Sequence, residues 1–550
     1  MGNKQETGRP TVMAPKAMVT SPHYLASQAG VDILRSGGNA VDAAIAIAST
    51  LAVVYPHMNS IGGDNFWLIH NSKTKETHGL NASGRAVNKA TIKYYKEQGY
   101  MKIPARGYLS ANTVPGAVHG WGEAHRYAAS AMSKTLNWNE LFSDAINYAE
   151  NGFAVTPSQN QWTETNNDKS DQEFRDLGRF EEFSKIFLKQ GNLPYNSEEL
   201  FKQPDLAVSM KEIAKKGAET FYQGNIAGKI VEDAKQKGGM ITATDLQNHT
   251  STWVKPITTL YRDYTAYNLP PNTQGFASLS ILNVLNHLDL QEVEEGSFTY
   301  YHYIIEATKA AFKDRDTWLS DPAFVDIPLD DLLSPKYGKQ IAGKIQKNED
   351  IVMNNRLDPK GDTVSFSVVD NEGNAVSVIQ SIYHDFGSGI IPSGTGILLQ
   401  NRGSFFSLDE NHVNSLQPGK RTFHTLNPAM LFKGDNPYLV YGTMGGEGQP
   451  QTQAALITRV IDYGFSVQEA IEAPRWLYGR TWGAASNSLK VESRIPQHVI
   501  TKLQKIYPEL EKLGNWEDTM GHAGMILIDD KTNMKHGGAD PRGDGAAIGY

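Results

Sequence analysis

The chain has 550 residues, 40% hydrophobic and 20% charged, which is ample apolar material for a sizeable core and rules out a disordered chain. Its formal net charge of −8, with no long basic run, argues against nucleic-acid binding, because phosphate affinity requires clustered Lys and Arg. Cysteine is absent, which excludes disulfides and thiolate metal sites. The opening stretch MGNKQETGRPTVMAPKAMVTSPHY is polar and broken by prolines. It carries neither the apolar core of a secretory signal nor a membrane anchor, so the expectation is a flexible start, a cytoplasmic location and no membrane attachment.

Apolar positions Leu25, Ala29, Ile33 and Leu34 predict a helix over about residues 22–36, which Gly37 and Gly38 stop. Asn39 caps the next helix, AVDAAIAIASTLAVVY, which is apolar on nearly every face and therefore buried, yet too short for a membrane span. Asp64 to His70 and Thr74 to Leu80 read as two strands joined by a polar turn. Helical patterns dominate residues 138–240 and return over 273–289 and 297–319. The segment NEDIVMNNRLDPKGD, ending at Asp362, is polar and reads as a linker. Beyond it, Val364 to Val369 and Ala375 to Ile379 form a predicted hairpin around DNEGN. Strands in runs and helices in runs, rather than strict alternation, predict an α+β or layered architecture.

Thr363 stands at the head of that hairpin, in GDTVSFSVVDNEGNAVSV. Taken alone, a threonine ahead of a strand reads as an ordinary strand residue. As the first residue of a chain it would be both nucleophile and base, because a free α-amino group titrates at about 7.7 to 8.0 and lies within reach of its own hydroxyl. Reaching that state requires Thr363 to attack the carbonyl of Asp362, convert the amide to an ester, and release a new N-terminus by hydrolysis. The pair Gly445 and Gly446 in TMGGEG reads either as a tight turn or as backbone donors aimed at a developing oxyanion.

Ordered motifs give these residues a context. SPHYLASQAGVDILRSGGNAVDAAIA from Ser21, IGGDNF from Ile61, TVPGAVHGW from Thr113, FGSGIIPSGTGILLQNR from Phe386, TMGGEGQPQT from Thr443, DYGFSVQEAIEAPRW from Asp462 and the closing ADPRGDGAAIGY together resemble the γ-glutamyltranspeptidases. These are N-terminal-nucleophile hydrolases. The resemblance implies a four-layer αββα sandwich, autocleavage before Thr363 into fragments 1–362 and 363–550 that stay in one globule, and an oxyanion hole at Gly445 and Gly446. Further association of the processed pairs stays open. It also implies an acyl-enzyme cycle on Thr363 that needs no metal or organic cofactor.

Other positions depart from the family pattern. Ser381 falls where the family has a threonine supporting the new amino terminus, and Tyr383 where it has an asparagine. His424 and Thr425, in KRTFHTLNP, take the place of a paired serine that contacts the substrate carboxylate. His424 reads either as a satisfied structural histidine or as a base. In LNASGRAV, Ser83 stands where the family holds the substrate α-carboxylate with arginine, and Arg85 lies two residues on. In LLQNRGSFF, Arg402 and Phe405 occupy positions of a polar residue and of the acid that binds the substrate ammonium. The expected substrate is thus a small acidic amide whose carboxylate meets Arg402, with Arg85, and which needs no neighbouring amine; glutaryl and oxamate-like amides fit. Only 17 residues, 403–419, separate QNR from KRTFHT, so the lid loop of the transpeptidases is expected to be missing and hydrolysis to compete well with transfer. Two other readings remain: a conventional γ-glutamyltransferase or glutathione hydrolase with rearranged contacts, and a catalytically poor relative that only binds.

Overall fold

The computed structural model describes residues 7–349, 362–479 and 488–550. The expected flexible start falls partly, and the linker ahead of Asp362 almost wholly, outside the described residues. Two seven-stranded sheets dominate. In the first, the order is Ala546–Gly549, Met18–Ser21, Asp362–Val369, Ala375–Tyr383, Asp64–Asn71, Glu76–Ala82 and Thr252–Val254. The second runs Val12–Ala14, Lys535–Ala539, Ala523–Ile528, Asn436–Thr443, Ala429–Lys433, Tyr264–Asn268 and Ile257–Tyr261. Every pairing in both is antiparallel. Residues before and after position 363 supply strands to both sheets, so the two parts of the chain share one core.

Side-chain alternation explains the layers. Along Ala429–Lys433, Met430 and Phe432 face the first sheet, where they meet Phe66, Leu68 and Ile379, while Ala429 and Leu431 face a helical layer. That layer is built on helices Gly275–Leu285, Phe298–Trp318 and Gln449–Ile461. On the far side, Val364, Phe366 and Val368 pack against the helix Ala40–Val54, all fifteen residues of which are buried. Helix, sheet, sheet and helix therefore stack in the expected αββα order. Each fully buried Leu, Val or Phe in these layers contributes roughly 1.5–3 kcal/mol.

The first two helices follow the sequence closely. The first spans Tyr24–Arg35 and the second is capped by Asn39, whose Oδ1 accepts from Val41 N and Asp42 N in a capping box. The hairpin strands are longer than predicted, beginning at Asp362 and ending at Tyr383. The helix-rich stretch 138–240 is broken by two-residue strands such as Phe153–Ala154 and Leu200–Phe201. Among the described residues no helix is long and apolar enough to cross a membrane.

The same alternation that sends Val364 and Phe366 outward turns Ser365 and Ser367 inward to the second sheet. There the sheets approach closely: a Cβ added to Gly442 would lie 2.1 Å from Ser365 Oγ. Gly442→Ala is therefore expected to destabilise the protein by about 1–3 kcal/mol through overpacking. Chemical denaturation of the purified variant checks this, and an unchanged midpoint would contradict the close approach.

Candidate active site

Thr363 is the second residue of its strand and fully buried. The ladder with Ala375–Tyr383 is irregular at this point: Asp362 pairs with Tyr383 and Val364 with Gln380, so Ser381 and Ile382 both stand opposite Thr363. Ser381 is thereby set beside Thr363, and its Oγ accepts from Tyr383 N at 2.8 Å. On its other side Ser381 pairs with Asp64.

Gly445 and Gly446 follow the strand Asn436–Thr443 in the neighbouring sheet. Ser377 Oγ donates to Tyr441 O at 3.4 Å and Gly442 faces Ser365, so moving along this strand toward Gly445 moves back along Asp362–Val369 toward Thr363. Both glycines have positive φ, +114° and +53°, and they lead into the 3-10 turn Gly446–Gly448 and the helix Gln449–Ile461. Gly445 O accepts from Gly448 N at 2.8 Å, inside the turn. Because a trans peptide points its N–H away from its carbonyl, the Gly446 N–H is directed outward from the helix start. A helix N-terminus is electropositive, which suits a developing oxyanion.

Arg402 is almost completely buried, its guanidinium 4.3 Å above the Tyr383 ring and 5.5 Å from that of Phe405. Nη1 donates to Thr425 Oγ1 at 3.3 Å, whereas Nε and Nη2 meet no protein acceptor. Burial pulls its pKa down to about 10, opposed by Tyr383 and by the charge of Asp64. It remains a cation at neutral pH with two donors to spare. Tyr383 holds a left-handed φ of +80°, and its ring also packs 4.5 Å from Phe405. Phe405 thus completes an aromatic wall where the family has a carboxylate.

Thr425 joins the surroundings of Arg402 to the Gly446 turn. Gln274 Nε2 donates both to Thr425 O at 2.8 Å and to Gly446 O at 2.9 Å. Arg315, also buried, holds Gln274 Oε1 at 3.2 Å and Glu447 Oε2 at 2.8 Å. Arg402, Thr425, Gln274 and Gly446 form one continuous network. Gln274 and Arg315 were not legible in the sequence, since each stands among other polar residues, in PNTQG and KDRDT, and its partners come from distant segments.

The remaining predicted residues divide. His424 is fully buried with Nε2 3.2 Å from Asp64 Oδ2 and Nδ1 3.5 Å from Leu426 N, so both nitrogens are turned to the protein. Burial, with Arg402 and Arg421 close by, pushes its pKa far down and keeps it neutral. That geometry matches the structural reading of this histidine. Arg85 is half-buried and donates to Thr250 O at 3.4 Å. Beside it, the buried Arg421 donates to Ser83 O at 3.0 Å and to Thr252 Oγ1 at 3.1 Å. Ser83 Oγ is spent on Asn81 Oδ1 at 2.7 Å.

Segment 403–419 folds back on itself. Asn414 Nδ2 donates to Phe405 O and to Thr422 Oγ1, both at 2.9 Å, and Lys420 Nζ to Val413 O at 2.9 Å. The segment is a compact loop.

Comparison with known proteins agrees with this picture. The family described as Gamma-glutamyltranspeptidase matches residues 26–550. The chain is 47% identical over 540 residues to the glutathione hydrolase-like YwrD proenzyme of Bacillus subtilis, covering 98% of this chain and 99% of that protein. It is 42% identical over 533 residues to the oxamate amidohydrolase proenzyme of Klebsiella pneumoniae, covering 97% and 98%. Among solved structures, the cephalosporin acylase of Bacillus halodurans superposes with a TM-score of 0.88 at 34% identity, over 100% of this chain and 99% of that one. The γ-glutamyltranspeptidase of Helicobacter pylori gives 0.53 at 36% identity, over 59% and 90%.

Proposed function

The chain belongs to the gamma-glutamyltranspeptidase family of N-terminal-nucleophile hydrolases, and from that premise we propose that it is an autoprocessing amidohydrolase for amides of short dicarboxylic acids. The observation that carries this reading is Arg402: a buried guanidinium with two unpartnered donors, stacked on Tyr383 and walled by Phe405. A buried cation with spare N–H groups selects a carboxylate, and an aromatic wall gives an ammonium no charged partner. A γ-glutamyl substrate, which carries both groups, would bury its ammonium uncompensated at a cost of about 2–5 kcal/mol. The 42% identity to an oxamate amidohydrolase proenzyme supports the same charge pattern.

Maturation begins when Thr363 Oγ attacks the Asp362 carbonyl carbon. The amide becomes an ester, and water cleaves it to leave a carboxylate on Asp362 and a free amine on Thr363. In turnover, that amine accepts the Oγ proton, directly or through a water, as Oγ attacks the substrate amide carbon. Gly445 and Gly446 N–H groups stabilise the oxyanion. The leaving amine takes the proton, and water then attacks the ester, releasing the dicarboxylic acid and restoring Thr363. Ser381, directly across the ladder, is the hydroxyl placed to hydrogen-bond the new terminus.

The compact 403–419 loop supports hydrolysis over transfer, because an acyl-enzyme survives for an acceptor amine only when water is held off. Product analysis of the processed enzyme tests both points. Glutaryl and oxamate-type amides are expected to exceed the corresponding γ-glutamyl amide in kcat/KM by about 30-fold or more, the equivalent of 2 kcal/mol. Free acid is expected as the main product even with millimolar dipeptide acceptor. A γ-glutamyl substrate that outruns both amides would overturn the assignment.

A further inference from the structure

We infer that Asp64 is a positioning residue for the carboxylate subsite, holding the Arg402 guanidinium in place from both flanks; the inference rests on the reading of Arg402 given above. Asp64 opens the strand Asp64–Asn71, opposite Ser381, and is fully buried. Its Oδ1 accepts from Gly84 N at 3.0 Å, Gly116 N at 3.0 Å and Gln400 Nε2 at 3.1 Å. Its Oδ2 accepts from His424 Nε2 at 3.2 Å. Three donors crowd Oδ1 and one takes Oδ2, so protein groups engage both oxygens of this buried carboxylate. Asp64 therefore does not replace the missing ammonium partner.

The identity of the donors shows what the group does. Gln400 lies two residues before Arg402 on the same segment. His424 immediately precedes Thr425, whose Oγ1 takes Arg402 Nη1. Asp64 thus ties Arg402's own segment to the segment that receives its guanidinium, while Tyr383 supports the face of the cation. The charge of Asp64 also acts on two buried guanidiniums, Arg402 and, after Asp321, Arg421. Without it, Arg402 would lose the carboxylate whose charge acts on it, while Arg421 would keep Asp321.

The arrangement is sensitive to pH. Burial pushes the Asp64 carboxyl up to about 6, against the pull of the Gly84 amide, the Arg402 charge, Gln400 and the Gly116 amide. The groups facing it are His424, held neutral, the cations Arg402 and Arg421, and Tyr222, whose phenol stays protonated. Above about pH 6 the carboxylate accepts all four bonds. Below it, a protonated oxygen confronts N–H donors, and the Arg402 flanks lose their tie. KM for a carboxylate-bearing substrate is then expected to rise as pH falls through about 6.

The test uses the full processed protein and compares a glutaryl anilide with a neutral acyl anilide. Asp64→Asn is expected to raise KM for the glutaryl substrate by about tenfold or more, a loss of one charge-assisted contact. The neutral anilide's KM is expected to move by less than about threefold, and the acid limb near pH 6 to disappear. His424→Gln, which loosens the same tie from its other end, is expected to shift the glutaryl KM in the same direction. Unchanged KM and an unchanged acid limb in Asp64→Asn would overturn the inference. Should that variant fail to fold or mature, an unchanged glutaryl KM in His424→Gln would do so. A wild-type enzyme indifferent to the carboxylate would instead sink the reading of Arg402, which keeps the two failures apart.

Discussion

Thr363→Ala is expected to remain a single 550-residue chain and to lose amidase activity by on the order of 10⁴-fold or more. The size of the effect follows from one side chain serving twice. In the proposed mechanism its hydroxyl attacks Asp362 during maturation, and after cleavage the same hydroxyl and the amine it exposes carry every turnover. Alanine removes the attacking oxygen, so neither the ester intermediate nor the acyl-enzyme forms. Intact mass of wild type and variant, incubated identically at neutral pH, reads the first step, with fragments 1–362 and 363–550 expected only from wild type. Thr363→Ser keeps an oxygen at the same position and is expected to process and turn over at reduced rate. Cleavage of the alanine variant at the same bond would place the nucleophile elsewhere. The buried strand position argues that the alanine variant folds, since a smaller side chain opposite Ser381 and Ile382 disturbs no ladder bond.

Arg402→Met carries the second large effect. Methionine fills much of the same volume between Tyr383 and Phe405 but offers neither charge nor N–H. For a carboxylate-bearing amide the loss in kcat/KM is expected at about 2–5 kcal/mol, roughly 30-fold to several thousand-fold. Neutral amides are expected to change far less, because they never use the two spare donors. Arg402→Lys is expected to recover only part of the loss: an ammonium lacks the planar fork that stacks on Tyr383 and reaches Thr425 at the same time. Steady-state kinetics on matched charged and neutral substrates decides the matter. Equal losses on both would mean that Arg402 serves packing and not recognition.

Much of the site was legible because it lies in short local patterns. Thr363 heads an alternating strand, Gly445 and Gly446 are adjacent in one turn, and Arg402 stands in a motif with a clear departure from its family. His424 was legible as a residue but not as a role, since the ambiguity between base and structural histidine is settled by what faces each ring nitrogen. Asp64 shows the limit most clearly. It sits within the quoted IGGDNF motif, yet its four donors come from positions 84, 116, 400 and 424, separations no local pattern records. Arg421, three residues before His424, likewise takes its contacts from distant segments, at Ser83 O and Thr252 Oγ1, and Arg85, expected beside Arg402, donates to Thr250 O.

By itself the sequence determined what local physics controls: the largely apolar helix capped by Asn39, which packs behind the first sheet, the hairpin that carries Thr363, and the layered α+β class. These depend on periodicity, capping and turn chemistry over a few residues, and need no partner to be recognised. The tertiary structure alone decided the flanking strands Met18–Ser21, Ile257–Tyr261 and Ala546–Gly549, which are four to five residues long and gain their stability only from the sheet they join. It also decided the electrostatics of the pocket, because burial and the meeting of distant segments set which arginine keeps free donors, which histidine stays neutral and which carboxylate is already satisfied.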